Sequence, residues 1–475
     1  MKSEREHQHY IAGQWQASSG QGHIEVVDPA SGEAFARVPA GNSEDVDRAV
    51  AAARAAFPAY AATSVSERLA LLERIVEVYR TRQDEIAEVL SREMGTPISL
   101  SRSLQAPRGG DHFLAAIEAL KSYAFEERVG NGLVLYEPIG VAGLITPWNW
   151  PLNQIAVKVA PALATGCTIV FKPSEVAPLN AIILAEILEE AGVPPGVFNM
   201  VHGDGAGVGS AMSRHPDIDM MSFTGSTRAG IAVSTDAAPT VKRVALELGG
   251  KSANILLPDA DFATVVKRGF LTMCTNAGQS CNAPSRMLVP EARYDEVAAI
   301  IRDSAAKVPI GLPSDPDTVL GPVANAAQYQ RIQTFIATAI REGADLICGG
   351  AGQPEGFNRG YFVRPTAFGR VTNDMTIGHE EVFGPVLAVQ TYRDVDEAIE
   401  IANDSEFGLA GYVQGRDRDA AMAVAKRLRT GMVSVNYPAQ NLQAPFGGYK
   451  KSGNGREYGR FGMAEFLETK VVLMD

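Results

Sequence analysis

A cysteine, a glutamate and an asparagine, each set among small or rigid neighbours, have the clearest capacity for chemistry in this sequence. In Asn276-Ala-Gly-Gln-Ser-Cys281 a cysteine follows small and polar residues. Close backbone approach there could lower the thiol pKa and give a thiolate able to attack a carbonyl. An inert buried thiol is the other reading, and it fits Cys167, inside an apolar run, and Cys348. Glu247, in Leu246-Glu-Leu-Gly-Gly-Lys251, ends an otherwise apolar run. Poor solvation would raise its pKa towards that of a useful general base, whereas a carboxylate paired with a neighbouring Lys or Arg would be structural. Asn149 stands between Trp148 and Trp150, flanked by Pro147 and Pro151. A rigid amide of this kind suits a developing oxyanion, or else satisfies backbone groups of its own loop.

A second set of segments has the composition of a dinucleotide cleft. Phe171-Lys-Pro-Ser-Glu175 follows a buried run, and its Lys172 and Glu175 could bond ribose hydroxyls or simply pair in solvent. His202-Gly-Asp-Gly-Ala-Gly-Val-Gly209 and Phe223-Thr-Gly-Ser226 are glycine-bearing turns that would admit a pyrophosphate to backbone amides at a helix start. A strict G-x-G-x-x-G fingerprint is absent, so these segments suggest a dinucleotide without specifying it.

Positioning such groups requires strand ends, and from about Gly140 onward short β-rich runs alternate with amphipathic helical runs, the pattern of an α/β fold with parallel strands. Strands are expected at Thr168 to Phe171, Val197 to Val201, Met220 to Phe223 and Val241 to Leu246, with a helix over Leu179 to Ala191. The pattern restarts after Gly249-Gly250 with a strand over Ala253 to Leu257 and a helix from Asp261. It continues through Val386 to Thr391, a helix over Asp394 to Asn403, and Val433 to Asn436. The first ~115 residues read as largely helical. Lys121 to Glu137 alternates like a hairpin, and Leu467 to Met474 reads as a further strand; both suit edge strands used in assembly.

Composition narrows the function classes. At 475 residues, 46% hydrophobic and 21% charged, the chain can build two or three packed units of an ordinary globular protein. A net charge of -12 without a basic patch argues against nucleic acid or anionic membrane as partners. Cys167, Cys274, Cys281 and Cys348 form no C-x-x-C pair and no zinc-like spacing, which suits a reducing cytoplasm and no metal. Met1 to Tyr10 is too polar for a secretory signal. The most apolar region, Ile139 to Phe171, is broken by Asn149, Asn153, Gln154, Lys158 and several prolines, so no spanning helix is expected.

Taken in order, these segments resemble the aldehyde dehydrogenase superfamily over essentially the full chain. The matching motifs are Pro147-Trp-Asn-Trp-Pro151, Phe171-Lys-Pro-Ser-Glu175, Phe223-Thr-Gly-Ser226, Leu246-Glu-Leu-Gly-Gly-Lys251, Gly278-Gln-Ser-Cys281, Glu381-Val-Phe-Gly-Pro385 and Pro445-Phe-Gly-Gly-Tyr-Lys450. The resemblance implies oxidation of an aldehyde to its acid through a thioester on Cys281. Water activated by Glu247 would hydrolyse the thioester, Asn149 and the Cys281 N–H would hold the oxyanion, and Lys158 and Glu457 would serve in proton or water relay. It implies a cofactor cleft of Ile145, Thr146, Pro147, Trp148, Lys172, Ser174, Glu175, Gly205, Gly209, Phe223, Thr224, Gly225, Ser226, Leu248, Gly249, Glu381 and Phe383. NAD is expected there, with NADP the second option, because Glu175 would accept from a free 2′-hydroxyl and repel a 2′-phosphate.

By position, Trp150, Asn153, Gln154, Ser280, Asn282, Gln440 and Phe446 are expected to line the substrate funnel. Their mixed aromatic and polar character suits an aromatic or polar-substituted aldehyde better than a long plain alkyl chain. The fold implied is a Rossmann-like cofactor domain (1–120 and 140–250), an α/β catalytic domain (251–445) and a small β oligomerisation extension (121–139 and 463–475), assembled as a homodimer or homotetramer. The alternatives are a coenzyme A-acylating relative, a cysteine hydrolase without redox chemistry, and a non-catalytic binding protein.

Overall fold

Val141–Ile145, Thr168–Lys172 and Met220–Thr224 are buried at all five positions, as strands of a parallel sheet covered on both faces must be. In the structure, a computed structural model that describes residues 4–474, they form the centre of a seven-stranded sheet. Met1, Lys2, Ser3 and Asp475 lie outside the described residues, so the polar N-terminal reading and the end of the proposed extension fall partly there. The spatial order is Arg243–Glu247, Met220–Thr224, Val141–Ile145, Thr168–Lys172, Phe198–Met200, Gln8–Ile11 and Gln14–Ala17. The first five strands run parallel, and the last two add an antiparallel hairpin at the edge.

That hairpin corrects the expectation of a largely helical N-terminal region. Gln8–Ile11 and Gln14–Ala17 turn at Ala12 and Gly13, whose φ values are 53° and 75°, and a second hairpin joins Gly22–Asp28 to Glu33–Ala40. The strands are four to eight residues long and partly exposed, too short for a period of two to stand out from a helical one. Helices take over from Ser43–Ala61, whose capping box at Asn42 and Asp45 marks its start. The strand expected from Val241 begins at Arg243, because Val241 sits in a left-handed turn at φ 56° and is 89% exposed.

A second seven-stranded sheet runs Asp345–Cys348, Thr366–Gly369, Val386–Tyr392, Arg286–Pro290, Ala253–Leu256, Ala410–Gln414 and Met432–Val435, with only the first strand antiparallel. A three-stranded antiparallel sheet joins Glu126–Val129, Gly132–Pro138 and Leu467–Leu473. The glycine-rich stretch after Pro445 returns from the second sheet to the first. Leu248 N–H donates to the Ser452 carbonyl at 2.9 Å, Gly453 bridges to Glu247, and the helix Gly459–Glu465 packs on Ala106–Ser122 and Pro151–Thr165. The site therefore lies where three stretches of chain converge on the carboxyl ends of the first sheet. Among the described residues no helix is long and apolar enough to cross a membrane, and no cluster of three His, Cys, Asp or Glu could hold a metal ion.

Candidate active site

The cysteine loop is built on an unusual backbone. After the helix Phe262–Cys274, residues Asn276, Ala277 and Gly278 take φ values of 55°, 54° and 72°, three left-handed residues in succession. Non-glycine residues pay for that conformation, so it persists only where the surroundings impose it. Here side-chain amides do so. Asn276 Nδ2 donates to the Asn149 carbonyl at 2.7 Å, and Gln105 Nε2 donates to Asn276 Oδ1 at 2.9 Å. Gln279 Nε2 donates to the Asn276 carbonyl at 3.0 Å, and its Oε1 accepts from Ala324 N–H at 2.9 Å. A Cβ at Gly278 would run into the Gly384 carbonyl, so only glycine lets the loop pass.

Two further bonds lock this loop to the tryptophan-rich one. Asn149 Nδ2 donates to the Gln279 carbonyl at 3.0 Å, and Trp150 Nε1 donates to Ser280 Oγ at 2.7 Å. Asn149, 3% exposed, thus has its amide fixed two residues from Cys281. Gln105, Asn276 and Gln279 carry the geometry, yet only the latter two stood in a motif, and neither had been given a role. Gln105 lies 171 residues from its partner and left no signal in the sequence.

Cys281 is partly buried against Val157, Leu409, Phe446 and Tyr458. Burial raises its thiol pKa, and the carboxylates of Glu381, Glu247 and Glu457 raise it further. The lowered pKa suggested by its small neighbours is therefore corrected: its surroundings raise it. Glu247 is 4% exposed, and neither of its oxygens has a hydrogen-bond partner among the described residues. Burial holds its carboxyl well above the usual range, aided by Glu457 and opposed by Lys158. It makes no ion pair among the described residues, which removes the salt-bridge reading. A Cβ at Gly447 would stand 2.8 Å from its Oε1, so the glycine leaves the carboxylate room. Lys158, 2% exposed, donates to Glu457 Oε1 at 2.7 Å and to Ser222 Oγ at 3.0 Å.

Register builds the cofactor cleft beside these groups. Ile145 pairs with Lys172 on one side and Phe223 on the other, and Thr224 pairs with Glu247, so the strand ends present these residues along one edge. Beyond them the hydroxyls of Thr146 and Thr224 are buried and unpartnered among the described residues. Lys172 Nζ donates to the carbonyls of Pro173 and Gly203 and, at 3.2 Å, to Glu175, whose side chain is 40% exposed. Ser174 is buried close by and accepts from Val176 N–H. Ser226 caps the 11-residue helix Thr227–Ala237. Gly209 lies against Lys172 and Ile145, whereas Gly205 is exposed with open space before it.

On the opposite wall, Glu381 Oε1 accepts from Gly250 N–H at 2.9 Å, and burial pushes its pKa up to about 7, against the pull of that bond and of Lys251. A Cβ at Gly249 would strike the Glu381 carboxylate, and one at Gly230 would strike Leu248. Phe383, at φ 59°, meets Trp148 edge-on at 5.6 Å, and Pro147 precedes Trp148 in the chain. Orphaned hydroxyls, a helix start capped by Ser226, glycines where a Cβ would collide and a facing carboxylate make a set that fits a dinucleotide.

The expected funnel residues meet only in part. Phe446 stacks on Tyr458 at 5.1 Å, Tyr458 lies 5.2 Å from the His112 ring, and His112 Nε2 is 2.8 Å from Asn153 Oδ1. Gln440 Nε2 donates to the Tyr458 hydroxyl at 3.1 Å, and the Asn282 carbonyl accepts from Tyr412. Gln154 is buried, its Oε1 unpartnered among the described residues. His112 and Tyr458 were missed; Tyr458, left-handed at φ 75° before Gly459, stood beside a motif residue, and His112 comes from a helix far along the chain. Burial pushes the His112 pKa down to about 4, so the ring is neutral. His202 lies against His9, and His215 and His379 make their contacts on other elements, so none of the three is positioned as the base of a cysteine hydrolase.

The chain is similar to known proteins over nearly its whole length. The aldehyde dehydrogenase family profile matches residues 15–472. A 3-succinoylsemialdehyde-pyridine dehydrogenase from a Pseudomonas species is 55% identical over 98% of each chain. The crystal structure of aldehyde dehydrogenase C from Pseudomonas syringae, a cysteine-to-alanine mutant in complex with NAD+ and octanal, superposes with a TM-score of 0.98 at 51% identity, over 99% of this chain and 97% of that one. An aldehyde dehydrogenase from Mycobacterium tuberculosis in complex with NAD+ gives 0.96 at 41% identity, over 99% and 98%. The chain belongs to the aldehyde dehydrogenase family. It is an oxidoreductase, and its reaction is the oxidation of an aldehyde to the carboxylic acid.

Proposed function

We propose that this oxidation runs through a thioester on Cys281, with NAD as cofactor and Glu247 as the base. The observation that carries the assignment is a buried, unpartnered carboxylate in the same field as a partly buried thiol. When bound, NAD supplies the hydride acceptor. Cys281 gives up its proton to solvent, the thiolate adds to the aldehyde carbon, and the Asn149 amide with the Cys281 N–H receives the charge on oxygen. Loss of hydride leaves the thioester. Glu247 then deprotonates water against it, the C–S bond breaks, and the acid departs. Lys172 and Glu175 hold the adenosine ribose, Ser226 and the helix start hold the pyrophosphate, and Glu381 with Phe383 orients the nicotinamide ribose and ring.

The substrate is an aromatic or polar-substituted aldehyde. Phe446, Tyr458 and His112 form a continuous aromatic wall, with Asn153 and Gln440 as polar partners along it. That wall matches a ring-bearing semialdehyde of the kind named for the Pseudomonas relative better than the octanal held by aldehyde dehydrogenase C. Hydrolysis, rather than transfer to coenzyme A, is supported by Glu247, which has no hydrogen-bond partner among the described residues.

The cofactor domain is 1–120 with 140–250, the catalytic domain 251–445, and the extension 121–139 with 463–475. The edge strand Leu467–Leu473 exposes Val471 and Leu473 at 56% and 71%, surface that a second copy covers in a homodimer or homotetramer. All four cysteines are free thiols, in keeping with the cytoplasm.

The test is NADH formation across aliphatic, aromatic and semialdehyde substrates without coenzyme A, for the native protein and Cys281→Ala. Turnover with ring-bearing aldehydes that vanishes in the variant, while NAD still binds, is expected. Turnover retained in the variant would overturn the assignment of Cys281.

A further inference from the structure

One charged side chain beside the aromatic wall has no role assigned above. The helix Ala106–Ser122 carries His112, whose ring lies 5.2 Å from that of Tyr458. Residues four apart share a helix face, so Arg108 stands one turn before His112 on the same side. Cys281 packs with Phe446 and Tyr458 in one apolar cluster. In order of contact the wall passes from Cys281 through Phe446 and Tyr458 to His112, and Arg108 follows one helical turn further. His112 and Tyr458 both feel the Arg108 charge, and the Tyr458 hydroxyl also feels the Cys281 thiol.

The guanidinium is short of partners. Its side chain is 17% exposed, and among the described residues it makes no hydrogen bond. Its contact with Asp111 is 3.9 Å long, beyond hydrogen-bond distance, and that side chain is 46% exposed. Asn153 Oδ1 is already engaged by His112 Nε2 at 2.8 Å, so it is not free for Arg108. Arginines drawn this far out of solvent are ordinarily paired, because donors left unbonded there forfeit their hydration without return.

We propose that Arg108 selects the substrate by binding an acceptor oxygen, of a carboxylate or a ketone, at the end of the aldehyde remote from Cys281. The inference rests on the aromatic wall lining the substrate funnel. A planar guanidinium fork gives a carboxylate two parallel bonds and a ketone one, whereas lysine offers only a point charge. The substrate class is then a ring-bearing aldehyde with a remote acceptor: the ring lies along Phe446 and Tyr458, and the oxygen reaches Arg108. The contact is made equally before and during hydride loss, so its effect falls on KM.

The test compares benzaldehyde, 4-acetylbenzaldehyde, 4-carboxybenzaldehyde and 4-formylcinnamate in the native protein, Arg108→Gln and Arg108→Lys. The last two aldehydes place a carboxylate at two distances. The native protein is expected to favour at least one of them over benzaldehyde by about tenfold or more in kcat/KM, as bonds between charged groups imply. Arg108→Gln should cut that ratio about tenfold, chiefly through KM. Arg108→Lys should keep part of the preference for the carboxylate and lose that for the ketone. A native protein without the preference, or a ratio that Arg108→Gln leaves intact, overturns the proposal. An equal decline on all four aldehydes, the result of a merely structural role, overturns it too. A native preference for octanal over benzaldehyde that Tyr458→Leu leaves unchanged would instead overturn the aromatic wall beneath it, so the two failures are told apart.

Discussion

Asn149 and Asn276 hold each other's loops by reciprocal means: Asn276 Nδ2 donates to the Asn149 carbonyl at 2.7 Å, and Asn149 Nδ2 donates to the Gln279 carbonyl at 3.0 Å. The putting together of a rigid amide and a left-handed cysteine loop is thus one structural unit. Removing the Asn149 amide deletes both a loop tie and the proposed oxyanion donor. Asn149→Ala should lower kcat by about a hundredfold to a thousandfold, the cost of a lost oxyanion donor. Asn276→Ala should lower kcat as well, together with thermal stability, because strained φ values at Asn276 and Ala277 lose their support. Equal kcat in Asn149→Ala and the native protein would refute the oxyanion role.

Glu247 gives a prediction in two parts. As a base it must be ionised, so deacylation should rise with pH through a pKa well above the usual carboxylate range and fall on the acid side. Glu247→Gln should give a single burst of NADH and then stall. For stability the sign reverses: a carboxyl whose folded pKa is raised favours the folded state only while protonated. Its penalty therefore grows as pH rises from the unfolded value towards the folded one. Glu247→Gln should accordingly raise Tm near neutral pH, with the gain shrinking as pH falls towards 4; thermal unfolding of both proteins at several pH values checks this.

Cofactor selection turns on Glu175 and Gly249. Glu175 is 40% exposed at the cleft edge and already accepts from Lys172, so it repels a 2′-phosphate and favours NAD. Glu175→Gln should narrow the gap in kcat/KM between NAD and NADP, and a native preference for NADP would overturn the reading. Gly249→Ala places a methyl against the Glu381 carboxylate. It should weaken NAD binding about tenfold or more, a loss of roughly 1.4 kcal/mol, measured by calorimetric titration.

The parallel strands were legible because burial on both faces leaves continuous apolar runs, as in Thr168–Lys172 and Met220–Thr224. Cys281, Glu247 and Asn149, whose roles are those proposed above, each stand in a motif that a local reading picks out. The N-terminal hairpins were not, since the four-residue strands Gln8–Ile11 and Gln14–Ala17 are too short for a local pattern to show, and their sheet neighbour Met200 is far along the chain. The thiol pKa was misjudged for the same reason. Small neighbours in sequence say nothing of Glu381, Glu247 and Glu457, which the fold gathers around Cys281 from elsewhere in the chain. Gln105 and His112 act across 171 and 41 residues, beyond the reach of any local motif.

The aromatic wall gives the sharpest test of substrate choice. Phe446 stacks on Tyr458 at an interplanar angle of 27°, and Tyr458 leans on a neutral His112 that is tied to Asn153. Tyr458→Leu removes the ring between the other two, and with it the partner of Gln440. Aromatic pairs of this kind contribute about 0.5–1.5 kcal/mol beyond their buried area. The variant should therefore lose about tenfold in kcat/KM for a ring-bearing aldehyde, chiefly through KM. Octanal, which needs only apolar space, should be spared or favoured. If both substrates decline together, the ring positions the cysteine loop instead of the substrate, and the aromatic preference must be sought elsewhere in the funnel.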